Sequence, residues 1–178
     1  MALLKKSYTK ILLSDLSNRI LEQLEETALF RNASCIALYH ALPGEVQTAF
    51  FLEKWYRKKQ LLLPLVTGND LRLLPYQGPE SVRTGAFGIL EPVDTDGAVP
   101  ENKVELIIVP GMAFDRRLNR LGRGKGFYDR LLCTLNVPRI GICYDFQLRE
   151  HIPVESFDKK MDVVITEKEI LTGSPDLL

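Results

Sequence analysis

Apolar positions along this chain fall into two patterns. From about Ser14 to Leu29 they recur at helical spacing, which predicts a first helix. A second apolar stripe follows Thr48, a residue type that caps helices, and predicts a helix that ends at the basic residues 57–59. The remaining apolar residues form short continuous runs. These runs predict strands at residues 34–40, 61–66, 71–76, 104–110, 139–144 and 162–166.

Strands that alternate with helices predict a single α/β domain over residues 1–178, with α/β/α layers and a mostly parallel, mixed central sheet. The turn sequence at residues 68–70 (Gly-Asn-Asp) joins two strands and predicts one antiparallel pair. Ligands bind such sheets beyond the carboxyl ends of the strands. The segments after His40 and Val109 both follow strands, so we expect them to face one crevice. Residues 77–103 have little regular pattern, which predicts a binding loop or a lid.

Composition and charge narrow the range of partners. Of the 178 residues, 46% are apolar and 26% are charged, as in an ordinary globular protein. The 23 basic and 23 acidic residues cancel, so we expect neither nucleic acid nor a membrane as a partner. The three cysteines form no CxxC pair and lie in apolar runs, which predicts buried, reduced thiols. No apolar stretch is long enough for a signal peptide or a membrane span, so we expect a cytoplasmic protein.

The strongest chemical signal is the segment RLGRGKGFYD at residues 120–129. Glycines at positions 122, 124 and 126 let the backbone approach a ligand closely, and Arg123 and Lys125 between them supply positive charge. The segment leads into a predicted helix, whose N-terminus favours an anion. These features predict a polyphosphate site, although the sequence matches neither GxxxxGK[ST] nor GxGxxG. The alternative, a mobile surface turn, stays open on these residues alone.

Five further residues are candidates, each with a structural alternative. Asp129 is either a magnesium ligand or an acid that favours the first turn of the helix. Asp158 is either a second ligand or a solvated loop acid. Glu45 and His40 are either substrate contacts or ordinary residues near the end of a strand. Phe87 lies between small residues in an irregular segment, where an aromatic ring can stack on a planar ligand.

Two nearby segments, PGMAFD (110–115) and RLGRGKGFYDRLL (120–132), closely resemble the signature of the 5-formyltetrahydrofolate cyclo-ligase family, also called methenyltetrahydrofolate synthetases. Three other segments are similar to elements of that family: LYHALPGEVQT (38–48), GAFGILEP (85–92) and FDKKMDVVITE (157–167). The resemblance implies a single α/β domain that converts 5-formyltetrahydrofolate (folinate) to 5,10-methenyltetrahydrofolate with MgATP. In the family's mechanism the γ-phosphate phosphorylates the formyl oxygen, N10 attacks the activated carbon, and phosphate leaves as the ring closes.

The resemblance also implies roles for individual residues. The ATP-binding residues would be Arg120, Leu121, Gly122, Arg123, Gly124, Lys125, Gly126, Phe127 and Tyr128. The folate would contact Arg123, Gly124, Lys125, Gly126 and Phe127 together with His40, Glu45 and Phe87. Lys125 would neutralise charge on the transferring phosphoryl group, with Arg123 and Arg120 as further catalytic residues, and Asp129 and Asp158 would hold Mg²⁺. The partners would then be folinate and ATP, and we expect a monomer.

The chain also departs from the family pattern. Members usually begin with a helix start of KxxLR type that contacts ATP phosphates, and counting back from Glu45 this element would fall before Met1. Phe127 stands where tyrosine is usual. Two alternatives to an ATP-dependent ligase therefore remain. One is a folate- or nucleotide-binding module without catalysis, and the other is a phosphosugar isomerase or acyl-transfer enzyme on a similar sheet.

Overall fold

The computed structural model describes residues 8–85, 90–93, 97 and 99–178. The helices in this part of the chain are α1 (Lys10–Glu26), α2 (Ala28–Asn32), α3 (Ala49–Trp55) and α4 (Phe127–Thr134). The strands are β1 (Cys35–Ala37), β2 (Gln60–Thr67), β3 (Asp70–Tyr76), β4 (Val82–Thr84), β5 (Leu90–Pro92), β6 (Leu106–Val109), β7 (Ala113–Asp115), β8 (Arg120–Leu121), β9 (Arg139–Ile142), β10 (Leu148–Arg149), β11 (Val163–Ile165) and β12 (Ile170–Thr172).

The two predicted helices exist, but their ends differ from the expectation. Helix α1 begins at Lys10 rather than near Ser14, because the Thr9 hydroxyl accepts a hydrogen bond from the Leu12 amide and caps the first turn. It ends at Glu26, because Thr27 is extended and starts the separate short helix α2. Thr48 occupies the N-cap position of α3 but makes no capping bond, and its hydroxyl donates to the Tyr39 carbonyl at 2.7 Å instead.

The central sheet has seven strands in the order β12-β11-β9-β6-β1-β2-β3. The five inner strands run parallel, and each edge strand is antiparallel to its neighbour. The predicted pair β2–β3 is confirmed, with Gly68 in the left-handed region at φ +62° in the turn between them. The second antiparallel pair, β11–β12, was not predicted, because β12 has three half-buried residues and no strong apolar run.

Both faces of the sheet are covered, which confirms the α/β/α layering. In β1, Ile36 packs in one core cluster with Ile20, Leu24 and Phe30 of the first two helices. Its neighbour Ala37 packs in a second cluster, on the opposite face, with the apolar side of α4. Successive residues of a strand point to opposite faces of the sheet. Because Ile36 and Ala37 are both buried, β1 is covered on both faces and lies in the middle layer.

Residues 77–103 contain more regular structure than the sequence indicated. A 3₁₀ turn at Pro79–Ser81 precedes the antiparallel hairpin of β4 and β5, and a second 3₁₀ turn spans Glu101–Lys103. The expectation of a segment without regular structure is therefore wrong, while the role of residues 77–103 as a binding loop or a lid stays a prediction. Phe87 lies outside the described residues.

The cysteine prediction holds for two of three residues. All three thiols are free, and Cys35 and Cys143 are buried, but Cys133 lies exposed on α4. An apolar run shows that one side of a helix is buried, and Cys133 falls on its outer side. Within the described ranges, no helix combines the length and the apolar character that crossing a membrane requires.

We predict that Gly141→Ala lowers the free energy of unfolding by roughly 1–3 kcal/mol. A Cβ at this position would lie 2.5 Å from Cε1 of Phe114, a ring with no exposed surface, so ring or strand must shift. Urea unfolding measures the effect. Gly173→Ala is the matched control, because its Cβ would lie 3.8 Å from the nearest atom, in ordinary contact. Equal stability of the two variants would contradict the tight packing of Phe114.

Candidate active site

Two segments meet beyond the carboxyl ends of neighbouring strands. Strands β1 and β6 are adjacent and parallel, so their carboxyl ends lie side by side at the same end of the sheet. After β1 it forms a loop over residues 38–48, which we call the Glu45 loop. After β6 it passes through β7 and β8 into residues 122–126, which we call the basic loop, and then into α4. The strand order thus explains why segments far apart in sequence converge.

The two loops are in direct contact through Glu45 and Arg123. Nη2 of Arg123 lies 3.0 Å from Oε1 of Glu45, and the Leu42 amide donates to Oε2 of the same carboxylate at 3.0 Å. The Glu45 side chain is 8% exposed, whereas that of Arg123 is 54% exposed. The buried carboxylate is therefore held at both oxygens, and one of its partners is a cation on the surface.

The basic loop turns through two glycines in the left-handed region. Gly124 has φ +81° and Gly126 has φ +65°, values that cost other residues steric strain. Gly126 is also the N-cap residue of α4, and its carbonyl accepts the Arg130 amide at 3.0 Å. The predicted sequence of strand, glycine-rich loop and helix is observed.

Arg120 and Asp129 form a pair inside the site. Nη2 of Arg120 donates to Oδ1 of Asp129 at 2.8 Å, and their side chains are 4% and 17% exposed. The guanidinium carbon lies 5.5 Å from the ring centroid of Tyr128. A Cβ on Gly122 would lie 2.9 Å from Nη1 of Arg120, so glycine at 122 leaves room for the guanidinium. The predicted catalytic arginine and the predicted metal ligand thus contact each other directly.

Lys125 and the residues around it differ in exposure. Lys125 is exposed, and its ammonium makes no ion pair with any residue that the structure describes. Arg130 fixes the backbone beside it: its guanidinium donates to the Lys125 carbonyl, to Asp70 and to the Asn69 carbonyl. These contacts tie the basic loop to the β2–β3 turn. Leu121 and Phe127 are half-buried, so the loop has apolar residues at both ends.

Burial sets the protonation of three groups near Glu45. Burial raises the pKa of Tyr128, and the nearby Glu45 carboxylate raises it further. The pKa of Tyr39 is raised well above its ordinary value, first by burial and then by Glu45. Burial lowers the pKa of half-buried His40. At pH 7 the hydroxyls of Tyr39 and Tyr128 and the imidazole of His40 are therefore neutral.

Asp158 lies on the segment that precedes β11. Its Oδ2 accepts the Glu155 amide at 2.7 Å, and the Met161 amide donates to the Leu118 carbonyl at 2.9 Å. The second bond holds this segment against the turn that leads into Arg120. In residues 8–85, 90–93, 97 and 99–178, no group of three or more His, Cys, Asp or Glu side chains is placed to hold a metal ion. A magnesium ion shared with phosphates needs only one or two carboxylates from the protein, so Asp129 has suitable chemistry.

Asp115 was not identified as a site residue from the sequence, although it shapes the approach to Arg120. Its side chain is buried and accepts hydrogen bonds from the amides of Arg117, Asn119 and Ile152 and from the Asn119 side chain. Burial alone would raise the pKa of this carboxyl, but the hydrogen bonds outweigh it and lower the pKa below its ordinary value. The sequence did contain a signal for this role, because an aspartate before a short polar segment is typical of a turn that the aspartate side chain stabilises.

The geometry defines a class of protein: a three-layer α/β protein with a glycine-rich cationic loop beyond the carboxyl ends of parallel strands, the position where such folds bind anionic ligands. The comparisons identify the family. Residues 5–167 match the 5-formyltetrahydrofolate cyclo-ligase family. The chain belongs to this family, which confirms the resemblance noted in the sequence.

Curated relatives carry the family's name. The chain is 34% identical over 137 residues to the 5-formyltetrahydrofolate cyclo-ligase of Haemophilus influenzae, covering 72% of this chain and 73% of the relative. It is 30% identical over 146 residues to that of Escherichia coli K12, covering 78% and 80%. The chain is thus an enzyme of the ligase class, and the alternative of a non-catalytic binding module is not supported.

Solved structures agree on the fold. The NMR structure of Aquifex aeolicus 5,10-methenyltetrahydrofolate synthetase matches with a TM-score of 0.84 and 36% identity, covering 94% of this chain and 86% of that one. A 5,10-methenyltetrahydrofolate synthetase from Mycoplasma pneumoniae matches with a TM-score of 0.73 over 92% of both chains. The second is 24% identical and supports the fold alone.

We predict that Asp115→Asn lowers the free energy of unfolding at pH 7 by roughly 1–3 kcal/mol, because buried amides lose a charged acceptor. The folded-state pKa of Asp115 is depressed, so its stabilisation is present above the unfolded-state pKa of about 4 and is lost as the pH falls through the folded-state pKa. The difference between wild type and variant should therefore shrink on acidification. Urea unfolding from pH 7 to pH 3 measures it, with Asp176→Asn, an exposed carboxylate near the C-terminus, as control. A difference that does not depend on pH would contradict the assignment.

Proposed function

We propose that this chain catalyses the ATP-dependent cyclisation of 5-formyltetrahydrofolate to 5,10-methenyltetrahydrofolate, with release of ADP and phosphate. Family membership supports the reaction. The contact that carries the proposal is the 3.0 Å ion pair between Glu45 and Arg123. Transfer of a phosphoryl group between two substrates requires adjacent binding surfaces, and this contact joins the predicted folate loop to the predicted nucleotide loop.

The chemistry explains why ATP is needed. A formamide oxygen is a poor leaving group, and phosphate is a good one. Transfer of the γ-phosphoryl group to the formyl oxygen releases ADP and makes the formyl carbon electrophilic. The N10 lone pair then forms the new C–N bond, N10 loses its proton, and the C–O bond breaks as phosphate leaves. Such a reaction depends mainly on positioning and on stabilisation of negative charge.

The basic loop would supply that charge. Arg123 and Lys125 are both exposed, so their side chains can contact phosphate without leaving a core position. Lys125 would neutralise the transferring phosphoryl group, while buried Arg120 would support the loop beside it. Amides in a loop rich in glycine can approach phosphate oxygens closely. Together, the exposed cations, the buried Arg120 and the loop amides support the proposed role of residues 120–128 in ATP binding.

The Glu45 loop would bind the folate. The pterin ring presents N–H donors along one edge, and a buried carboxylate is a strong acceptor for them. Glu45 already accepts one amide and one guanidinium, so its charge is balanced before substrate arrives. His40, uncharged at pH 7, lies five residues earlier on the same loop. Phe87 remains a proposed contact from the sequence alone.

Asp129 and Asp158 are the residues proposed to hold Mg²⁺. Asp129 lies in the first turn of α4, directly after the basic loop, and Asp158 lies on the segment held against the turn before Arg120. When bound, Mg²⁺ would neutralise charge on the ATP phosphates. The expectations of a monomer and of a cytoplasmic location also stay predictions.

The proposed reaction is tested by mixing the purified chain with folinate, ATP and Mg²⁺ and following the absorbance of the methenyl product. We expect product only when all three are present. Product formed without ATP would favour a different reaction. No product from a folded, monodisperse preparation would contradict the proposed function.

We predict that Lys125→Ala lowers kcat by about 10²- to 10³-fold, the range for loss of one group that stabilises a transition-state charge. Because Lys125 is exposed, the unfolding midpoint should stay unchanged. Lys103→Ala is the matched control: Lys103 is also exposed, but it precedes β6 and lies at the opposite end of the sheet. Near-normal kcat in Lys125→Ala would remove Lys125 from the mechanism.

A further inference from the structure

Four consecutive residues of the Glu45 loop are held by hydroxyl groups. The carbonyl of Glu45 accepts the Tyr144 hydroxyl at 3.1 Å, and the carbonyl of Val46 accepts the Tyr39 hydroxyl at 3.2 Å. The amide of Gln47 donates to the Ser17 hydroxyl at 3.0 Å. The hydroxyl of Thr48 bonds the backbone of Tyr39 and Ala41. A loop normally keeps much of its backbone in water, so this density of buried contacts is unusual.

Two of these hydroxyls come from distant elements and contact each other. Ser17 lies in α1, Tyr144 follows β9, and their oxygens are 2.9 Å apart although 127 positions separate them in sequence. Ser17 is 1% exposed and Tyr144 is fully buried. The two side chains thus connect the Gln47 amide to the Glu45 carbonyl through the interior of the protein.

A third group adjoins the two hydroxyls, the Leu13 carbonyl of helix α1. Ser17 and Tyr144 each carry one hydroxyl proton. The Ser17 hydroxyl donates to the Leu13 carbonyl at 2.7 Å, and the Tyr144 hydroxyl lies 3.4 Å from it. The Glu45 carbonyl has no other donor in the described part of the chain. The Gln47 amide thus donates to a Ser17 hydroxyl that is anchored on α1 and lies 2.9 Å from the Tyr144 hydroxyl, which donates to the Glu45 carbonyl.

The Tyr144 hydroxyl is suited to the donor role. Burial raises its pKa, while the hydrogen bond with Ser17 acts in the opposite direction. The hydroxyl therefore keeps its proton at neutral pH. Its ring stacks on Phe146 at a centroid distance of 5.2 Å and an interplanar angle of 16°, which fixes the direction of the hydroxyl.

We propose that Ser17 and Tyr144 are positioning residues for the reaction: their hydroxyl relay fixes the backbone of Glu45 and thereby the carboxylate that receives the folate. This inference rests on the proposed function. Neither hydroxyl contacts the Glu45 carboxylate itself, so the effect passes through the backbone. Among the described residues, the relay hydroxyls hydrogen-bond the Glu45 loop and the Leu13 carbonyl of α1, and none of these hydrogen bonds reaches residues 120–129.

Tyr144→Phe removes the relay's central hydroxyl and keeps the ring. We expect the Kd for folinate, measured by calorimetry without ATP, and the KM for folinate to rise roughly five- to thirtyfold, the factor for loss of a buried hydrogen-bond partner. The KM for ATP should change by less than twofold. Tyr76→Phe is the matched control: Tyr76 is also buried, but it pairs with Leu61 at the opposite end of the sheet. It should leave both KM values unchanged.

Ser17→Ala removes the hydroxyl at the other end of the relay. This variant replaces Tyr144→Phe in the same measurements if Tyr144→Phe fails to fold. The double variant should bind folinate about as weakly as either single variant, because each change already breaks the same relay. Multiplied effects would show two independent contributions and overturn the relay.

Hydrogen exchange separates this inference from the proposed function. In Tyr144→Phe, amides of residues 44–48 should exchange faster than in wild type, and those of the basic loop should not. A wild-type chain that neither binds nor cyclises folinate would refute the proposed function, and faster loop exchange would still support the relay. Unchanged exchange, folinate binding within twofold of wild type, or an equal rise in both KM values would overturn the positioning role.

Discussion

The ion pair between Arg123 and Glu45 joins two segments that are 78 positions apart in the sequence, and the arrangement of the site depends on it. The parallel pairing of β1 and β6 brings the two segments to the same end of the strands, and the side chains of Arg123 and Glu45 join the loops there. The pair is asymmetric: its carboxylate is buried and its guanidinium is half exposed. An exposed partner contributes little net stability, about 0–1 kcal/mol, so a ligand can replace it at small cost. The buried carboxylate, in contrast, must always keep a donor.

The two arginines of the basic segment show how burial divides their roles. Arg123 and Arg120 are three residues apart and have identical chemistry. Arg120 is enclosed by Gly122, Tyr128 and Asp129, so moving its buried guanidinium would separate it from the half-buried carboxylate of Asp129. Arg123 is half exposed, so water can solvate its guanidinium when it leaves Glu45, and a bound ligand can take its place as the donor to that carboxylate. One arginine therefore maintains the shape of the loop, and the other is available to a substrate.

The sequence predicted the structure correctly where a residue pattern is compatible with only a few structural roles. Apolar runs located the inner strands, and alternating glycines and cations located the loop that contacts Glu45. It was uninformative about contacts between distant residues. Nothing local shows that the guanidinium of Arg120 folds over Gly122, or that Arg130 reaches the β2–β3 turn. One missed residue did leave a signal: Ser17 interrupts the apolar side of α1 between Leu13 and Leu24, and a buried hydroxyl at such a position requires a partner.

The site combines a fixed acceptor with movable cations, and the proposed chemistry gives a reason for the difference. The folate must be oriented before its formyl oxygen can be phosphorylated, and orientation is worth most when the contacting group is already rigid. Four hydroxyl-held residues meet that need at Glu45. The phosphoryl group, in contrast, changes position and charge during the reaction, so its partners must follow it. Exposed Arg123 and Lys125, on a loop with two left-handed glycines, retain the freedom to do so. The rigidity of the Glu45 loop and the mobility of the cations on the basic loop thus follow from which polar groups the chain buries.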